Sequence, residues 1–386
     1  MINQMSDGNY APMFMDYPKI HFLELFLSGK KIGTVNMLQP DFLQWRIARI
    51  VWETSDSASF FLSNENKMPV EYHAGQFLTL IFDRKGRELR RSYSFSSSPE
   101  VEKEVAFTVK RIPNGEISRY LLDYMKPGDS IRSLPPAGRF TLEPAKAYKK
   151  QIFLIAAGVG ISPEFSILKK LLYDEVDCKL VLIFQNRDEE HIIFKSALKE
   201  LELQFGKNFR WINILSRPKE NPGGGEYLTN ALLEKIVNAQ QSPNREKISY
   251  LCGPPPLMRI WHFTLRWMGF DEEQIKRETF NIEYIPPPPF LIDQTPKQVD
   301  LSFQGIRQQF KVSYPSSILE AALKNNIELP YSCRGGRCST CMAKCLSGKI
   351  KMSINEVLTD QDLQEGWVLT CVGFAETDIV LSYPQR

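Results

Sequence analysis

No apolar run in this chain approaches the ~20 residues that a bilayer-spanning helix requires. The best candidate, residues 152–161, is broken at Ser162-Pro163. The first residues carry no basic flank ahead of an apolar stretch, so they do not read as a secretory signal. Charge of one sign is also lacking. A net charge of +3 gives no electrostatic reason to expect a nucleic-acid partner. Histidine is scarce: His21, His73, His191 and His262 show no ligand spacing, which leaves them structural or surface roles. Cysteine is nearly absent from the first 332 residues, where only Cys178 and Cys252 occur. The remaining five of the seven cysteines crowd between Cys333 and Cys371. An odd, clustered count without a signal sequence argues against a disulfide scaffold and for metal in a reducing compartment. The cytoplasm is the expected location.

The 386 residues leave room for two or three domains, and three textures follow one another. From residue 42 to 145, short alternating apolar runs are punctuated by Gly and Pro. Phe77 to Ile81, Arg91 to Phe95, Val105 to Val109 and Ser130 to Leu134 are the clearest, and they predict an antiparallel β-barrel. From 146 to 285, strand and helix patterns alternate, which predicts an α/β domain with a parallel sheet. Its helices are expected at 164–173, 192–205, 227–237 and 256–268. Four prolines at 286–289 cannot sit in a helix or a sheet ladder. They place a semi-rigid linker over 286–298 and open a last domain at 299–386. Residues 1–41 form an N-terminal extension in which Phe22 to Leu27 reads as an added strand, with a partner contact and a membrane-surface patch as the other readings.

In the last domain, Cys333-Arg-Gly-Gly-Arg-Cys338-Ser-Thr-Cys341, followed at a distance by Cys371, has the C-x4-C-x2-C…C spacing of a [2Fe–2S] site. Gly335 and Gly336 let the loop bend and aim N–H groups at sulfur. Cys338-x-x-Cys341 alone is also zinc spacing, but a structural zinc site needs a second close pair. Cys345, in a strand leaving the loop, reads as a small buried thiol. The segment resembles the plant-type ferredoxins, including Pro330-Tyr331-Ser332 before the first cysteine and Thr370-Cys371 at the last. The resemblance implies an α+β, β-grasp domain with Cys333, Cys338, Cys341 and Cys371 as iron ligands. Stand-alone members are strongly acidic, whereas 299–386 holds nine basic and nine acidic residues.

Upstream, Arg91-Ser92-Tyr93-Ser94 resembles the Arg-x-Tyr-Ser flavin motif of the ferredoxin–NADP reductase family. The resemblance implies that Arg91 pairs with the flavin phosphate, Tyr93 lies against the flavin, and Ser94 serves catalysis at flavin N5. It extends through Val109 and Lys110 on the next strand, Gly115 and Ser118 in a phosphate-binding turn, and Pro136-x-Gly138-x-Phe140. FAD is the implied flavin, although some reductases of the same domain order use FMN. Gly158-Val-Gly160-Ile-Ser162-Pro163 joins a strand to a helix, where glycines admit a pyrophosphate. It resembles the nucleotide turn of the same family, except that Val159 replaces a frequent Ser or Thr. Cys252-Gly253-Pro254 matches that family's nicotinamide-side motif and gives Cys252 a catalytic position without a covalent role. Ser216 and Arg217, at a strand end, suit an adenosine 2′-phosphate and so NADPH.

Together these features resemble three-domain reductases, such as the reductase components of phenylacetyl-CoA epoxidase and of hydroxylating oxygenase systems. The implied activity is NAD(P)H oxidation through FAD and a [2Fe–2S] cluster, with single electrons passed to a partner oxygenase. A reductase for another acceptor, such as a hybrid-cluster protein or a desaturase, and a redox sensor without turnover stay open at this level.

Overall fold

The computed structural model describes residues 42–64, 70–84, 86–280 and 293–384. The N-terminal extension with its Phe22 to Leu27 strand and the prolines at 286–289 lie outside the described residues.

Strands β1 (Leu43–Thr54), β2 (Ser57–Asn64), β3 (Phe77–Arg84), β4 (Arg87–Ser94), β5 (Val105–Lys110) and β6 (Ser130–Ser133) form one antiparallel sheet. Their order is β4-β3-β6-β1-β2-β5. The two edges meet just beyond β4. Phe95 bridges Phe107, and the Ser96 N–H donates to the Ala106 carbonyl at 2.8 Å. This closes the sheet into the expected barrel. Alternate residues of the strands fill it, among them Trp45, Ile47, Phe60, Leu78, Leu80 and Phe107. Helix α1 (Glu116–Tyr124) adds Ile117, Leu121 and Leu122 to the same core. β1 and β2 lie outside the alternating runs read from the sequence. Irregular register in β1 at Ile47/Arg49 and Trp52/Thr54 blurs its period of two.

A short α2 (Pro144–Ala147) leads into five parallel strands: β7 (Lys150–Ala157), β8 (Lys179–Asn186), β9 (Phe209–Leu215), β10 (Glu246–Cys252) and β11 (Ile275–Glu278). β7 and β8 are buried on both faces, which explains their nearly continuous apolar sequence. Helices α3 (Ile161–Tyr173), α4 (Lys195–Phe205), α5 (Asn230–Ala239) and α6 (Pro255–Trp267) cover the sheet. The order β11-β10-β7-β8-β9 reverses direction between β7 and β10, which opens a crevice at their carboxyl ends.

Two helices start later than their patterns predict. Phe194 is left-handed at φ +59° and stacks on Phe165 at 4.2 Å, so the apolar run 192–194 is core and α4 begins at Lys195. Thr229 accepts from the Leu232 N–H at 3.3 Å, and this cap starts α5 at Asn230. β11 is absent from the sequence expectation, because Ile-Lys-Arg-Glu carries only one buried apolar residue.

The third sheet joins β12 (Lys297–Phe303), β13 (Ile306–Val312), β14 (Met342–Ser347), β16 (Trp367–Leu369) and β18 (Ile379–Ser382) in the order β13-β12-β18-β14-β16. Only β12 and β18 run parallel, and a ribbon of β15 (Ile350–Met352) and β17 (Gly373–Ala375) stands beside the sheet. Helix α7 (Ile318–Lys324) starts at a reciprocal Ser317–Glu320 cap and buries Ile318, Leu319, Ala321 and Ala322. α8 (Asp360–Gln364) follows the ribbon's first strand.

The first two sheets meet closely. Tyr250 donates to the Thr141 carbonyl at 2.9 Å, and Ser166 to the Ser97 carbonyl at 2.5 Å. At Gly75, φ is +93°, and a methyl group there would lie 2.0 Å from the Phe140 carbonyl oxygen and 2.9 Å from Ile167 Cδ1. Gly75→Ala is therefore expected to lose about 1–3 kcal/mol. Urea unfolding measures it, and an unchanged midpoint would contradict the tight seam.

Candidate redox site where three sheets meet

Strand geometry sends alternate side chains of β4 to opposite faces. Arg91 and Tyr93 share one face, and Arg90, Ser92 and Ser94 share the other. Tyr93 packs on Phe107 at 5.3 Å, and burial pushes its phenol up. Arg91 donates to the Arg90 carbonyl at 2.7 Å and has no carboxylate partner among the described residues. A phosphate would therefore meet an uncommitted guanidinium there.

Ser94 is buried, and its Oγ donates to Glu278 Oε2 at 3.0 Å. Glu278 ends β11 in register with Cys252, which ends β10 in register with Ala156 of β7. Three strand ends thus bring a carboxyl, a thiol and the nucleotide turn into one row. Burial raises the Glu278 carboxyl to about 8, against the hydrogen bond from Ser94. The Cys252 thiol is pushed well above its ordinary range by burial, then by Glu278 and Glu164. Cys252 accordingly stays protonated, which agrees with a role in packing rather than as a nucleophile. Glu164 is fully buried, and burial likewise holds it well above the carboxylate range. Sequence reading missed Glu278, since its strand shows no period. Its one legible signal is an acid placed just before a proline-rich stretch of sequence.

The nucleotide turn, Gly158–Gly160, is a single 3-10 turn that leads into α3. A methyl group at Gly160 would lie 2.1 Å from the Cys252 carbonyl oxygen, and one at Gly253 would lie 3.2 Å from Ala157 Cβ. These glycines let β7 and β10 end side by side. Ser162 Oγ is buried without a protein partner, as a hydroxyl kept for a ligand would be. Pro254 precedes α6 directly. Lys110 reaches across from the barrel, with Nζ 3.8 Å from where a Gly158 Cβ would stand and 3.7 Å from Asp56 Oδ2. Val109 points into the barrel core, so only its backbone is available to a ligand. Ser118 Oγ accepts from the Ile112 N–H at 3.2 Å and so shapes the turn at Gly115. The N-terminus of α1 has no side-chain cap, which leaves its N–H groups for an anion. At the far end of the crevice, the Ser216 and Arg217 N–H groups donate to the Asn186 and Arg187 carbonyls at 3.0 and 2.7 Å. The Arg217 side chain is exposed.

The cysteine loop wraps tightly. Arg334, Gly336 and Ser339 have φ of +52°, +71° and +53°. A methyl group at Gly336 would lie 2.7 Å from Ile354 Cγ2. The Gly335 N–H points at Cys333 Sγ at 3.4 Å, and the Cys333 N–H at Cys338 Sγ at 3.5 Å. The thiols of Cys333 and Cys338 hydrogen-bond each other, as do those of Cys341 and Cys371. Among the described residues no three His, Cys, Asp or Glu converge as ligands of one ion would. Two thiol pairs instead fit a two-iron centre with two sulfurs per iron, and a single zinc fits poorly. The Cys338 hydrogen bond, opposed by burial and helped by loop N–H groups, brings the Cys333 thiol down to about 6. Leu358, Leu369 and Val372 wall the site with apolar surface. Cys345 sits apart on β14, donating to the Ser347 carbonyl at 3.3 Å.

A flavin-side barrel, a nucleotide crevice and a paired-thiol loop on one chain define a flavin and iron–sulfur oxidoreductase. Family descriptions match in the same order. They are an oxidoreductase FAD-binding domain over residues 47–142, an oxidoreductase NAD-binding domain over 154–262 and a 2Fe-2S iron-sulfur cluster binding domain over 301–376. The chain is 31% identical over 352 residues to the ferredoxin reductase component of 3-ketosteroid-9-alpha-monooxygenase from Mycolicibacterium smegmatis, spanning 88% of this chain and 96% of that one. It is 29% identical over 354 residues to one of the subunits of 1,2-phenylacetyl-CoA epoxidase from Escherichia coli, spanning 88% and 97%. The solved structure of phthalate dioxygenase reductase shares the fold, with a TM-score of 0.55 at 24% identity over 89% of this chain and 98% of that one. The chain belongs to the family of ferredoxin reductase components that carry FAD-, NAD- and 2Fe-2S-binding domains in that order.

Because the native state favours protonated Glu278, its contribution to stability is full below about pH 4 and is lost as pH rises through about 8. Glu278→Gln should remove that decline. Melting temperatures of both proteins from pH 5 to 9 check it, and parallel curves would count against a raised Glu278.

Proposed function

We propose that this chain is the reductase component of an oxygenase system. It draws two electrons from NAD(P)H and delivers them singly to a separate electron-accepting protein, an oxygenase or hydroxylase. The observation that carries this reading is the shared face of β4. Ser94 bonds to Glu278 of the parallel sheet, while Arg90 donates to the Tyr331 carbonyl beside the cysteine loop at 3.3 Å. The names of the two relatives, which serve a monooxygenase and an epoxidase, support the class of acceptor.

When bound, FAD supplies the conversion of a two-electron hydride into single electrons, and the cluster supplies a one-electron store. The residues supply placement and proton handling. Arg91 takes the flavin phosphate and Tyr93 covers the flavin. Lys110, the backbone at Val109, and Gly115 with Ser118 at the start of α1 hold the remaining phosphate charge. Ser94 Oγ would serve flavin N5, and its hydrogen bond to Glu278 would link that atom to a carboxyl raised to about 8, which can hold a proton near neutral pH. Gly158, Gly160 and Ser162 hold the NAD(P)H pyrophosphate. Cys252, Gly253 and Pro254 floor the nicotinamide pocket and keep water out. Ser216 and Arg217 take a 2′-phosphate, which makes NADPH the preferred donor. Cys333 with Cys338, and Cys341 with Cys371, hold one iron each.

These roles divide the chain at 42–145, 146–285 and 299–386, with 286–298 as the linker. No helix among the described residues is long and apolar enough to cross a membrane. All seven cysteines are free, which supports a reducing, cytoplasmic setting.

Two variants test the reading. Cys371→Ser should abolish cluster absorption and cytochrome c reduction, while ferricyanide reduction by NAD(P)H persists. Purified wild-type protein with a cluster but no reducible flavin would refute the proposal. Arg217→Ala should raise the KM for NADPH about tenfold, the scale of one charged hydrogen bond, and leave that for NADH unchanged. A wild-type preference for NADH would overturn the assignment of Arg217.

A further inference from the structure

The variable position of Arg91-Ser92-Tyr93-Ser94 has a partner at the start of the cysteine loop. Ser92 Oγ lies 2.5 Å from Ser332 Oγ and 3.1 Å from Thr79 Oγ1, directly opposite on β3. Ser332 is joined by one peptide bond to Cys333. Two residues back on the same face of β4, Arg90 is 7% exposed, and its guanidinium lies 3.8 Å over the Tyr331 ring. Arg334 also lies over Tyr331, at 4.2 Å. A second tie stands apart from the loop, where Arg139 donates to both carboxylate oxygens of Asp362 at 2.7 and 2.9 Å.

The arginine ties can dock the third sheet, yet a long side chain tolerates sliding. Two short hydroxyls at 2.5 Å do not, because either must lose its bond when the loop shifts by an ångström. Ser92 is itself fixed by Thr79, so the barrel sets the position of the pair.

We propose that Ser92 and Ser332 are a positioning pair for electron transfer, holding Cys333 in register against the strand that carries the flavin. This rests on the reading of the chain as a flavin-to-cluster reductase. Each transfer removes one electron from the flavin side and adds one to the cluster. No bond forms or breaks at either serine. Ser94 and its hydrogen bond to Glu278 lie two residues along the same face, so the groups placed for the electron and for the proton occupy adjacent outward positions of β4.

The test uses the full chain with both cofactors in anaerobic stopped-flow with NAD(P)H, comparing wild type, Ser332→Ala, Ser92→Ala, the double variant and Ser332→Thr. In Ser332→Ala, flavin bleaching should keep its rate, while cluster bleaching slows about two- to tenfold, the population change that one net hydrogen bond controls. The double variant should be no slower than either single one, and Ser332→Thr should recover the rate. Hydrogen exchange of the amides at 331–335 should quicken in Ser332→Ala, while those of β14 stay as they were. Wild-type cluster bleaching in both alanine variants, or additive losses in the double, would overturn the pairing. Failure of NAD(P)H to bleach the wild-type flavin would instead overturn the reductase reading itself. Should Ser332→Ala not fold, Ser92→Ala alone decides: slowed cluster bleaching supports the pair, and a wild-type rate overturns it.

Discussion

A β-strand has two faces, and β4 divides them between separate tasks. One face carries Arg91 and Tyr93 and borders the barrel core, where Tyr93 packs on Phe107. The other carries Arg90 and Ser92, which bond to Tyr331 and Ser332 before the cysteine loop, and Ser94, which bonds to Glu278 of the parallel sheet. The strand can serve three sheets because it is the barrel's last-ordered strand, closed only beyond its end at Phe95. Its outward side chains are therefore free to meet neighbours instead of a covering layer. The rest of the site depends on that arrangement, since a slip of one residue would turn Arg91 outward and Ser94 inward.

The crevice beside it gathers three titratable groups. Cys252, Glu164 and Glu278 are titratable groups that burial holds protonated near neutral pH. Neutral acids suit a place where a negatively charged dinucleotide must bind, because ionised carboxylates would repel it. Of the three, Glu278 is the one that holds a hydrogen bond to the barrel. In low dielectric such a bond is worth more than at the surface. Arg217, beyond the end of β9, is exposed.

The cysteine loop shows the same economy. Arg334 is exposed beside Cys333, whereas Arg337 is spent on Glu356 at 3.0 Å with only 10% of its side chain exposed. With nine charges of each sign, this part of the chain carries no long-range field of one sign.

Chemistry that needs a residue type at a fixed spacing was legible in the sequence. Cys333 to Cys341, the glycines of 158–160 and the Arg91 to Ser94 strand are the motifs that point to the 2Fe-2S-, NAD- and FAD-binding domains, because such ligands constrain neighbours within a few residues of one another. The barrel and the parallel sheet were legible too, through their periods, except where irregular register blurred β1 and charge hid β11. Tertiary structure alone decided what distant residues do to each other. It set Glu278 against Ser94, Ser332 against Ser92, and Asp362 against Arg139, and it turned Val109 into the core. The reason is physical: a pair between sheets leaves no period and no spacing in the chain, since its distance is set by how whole sheets pack.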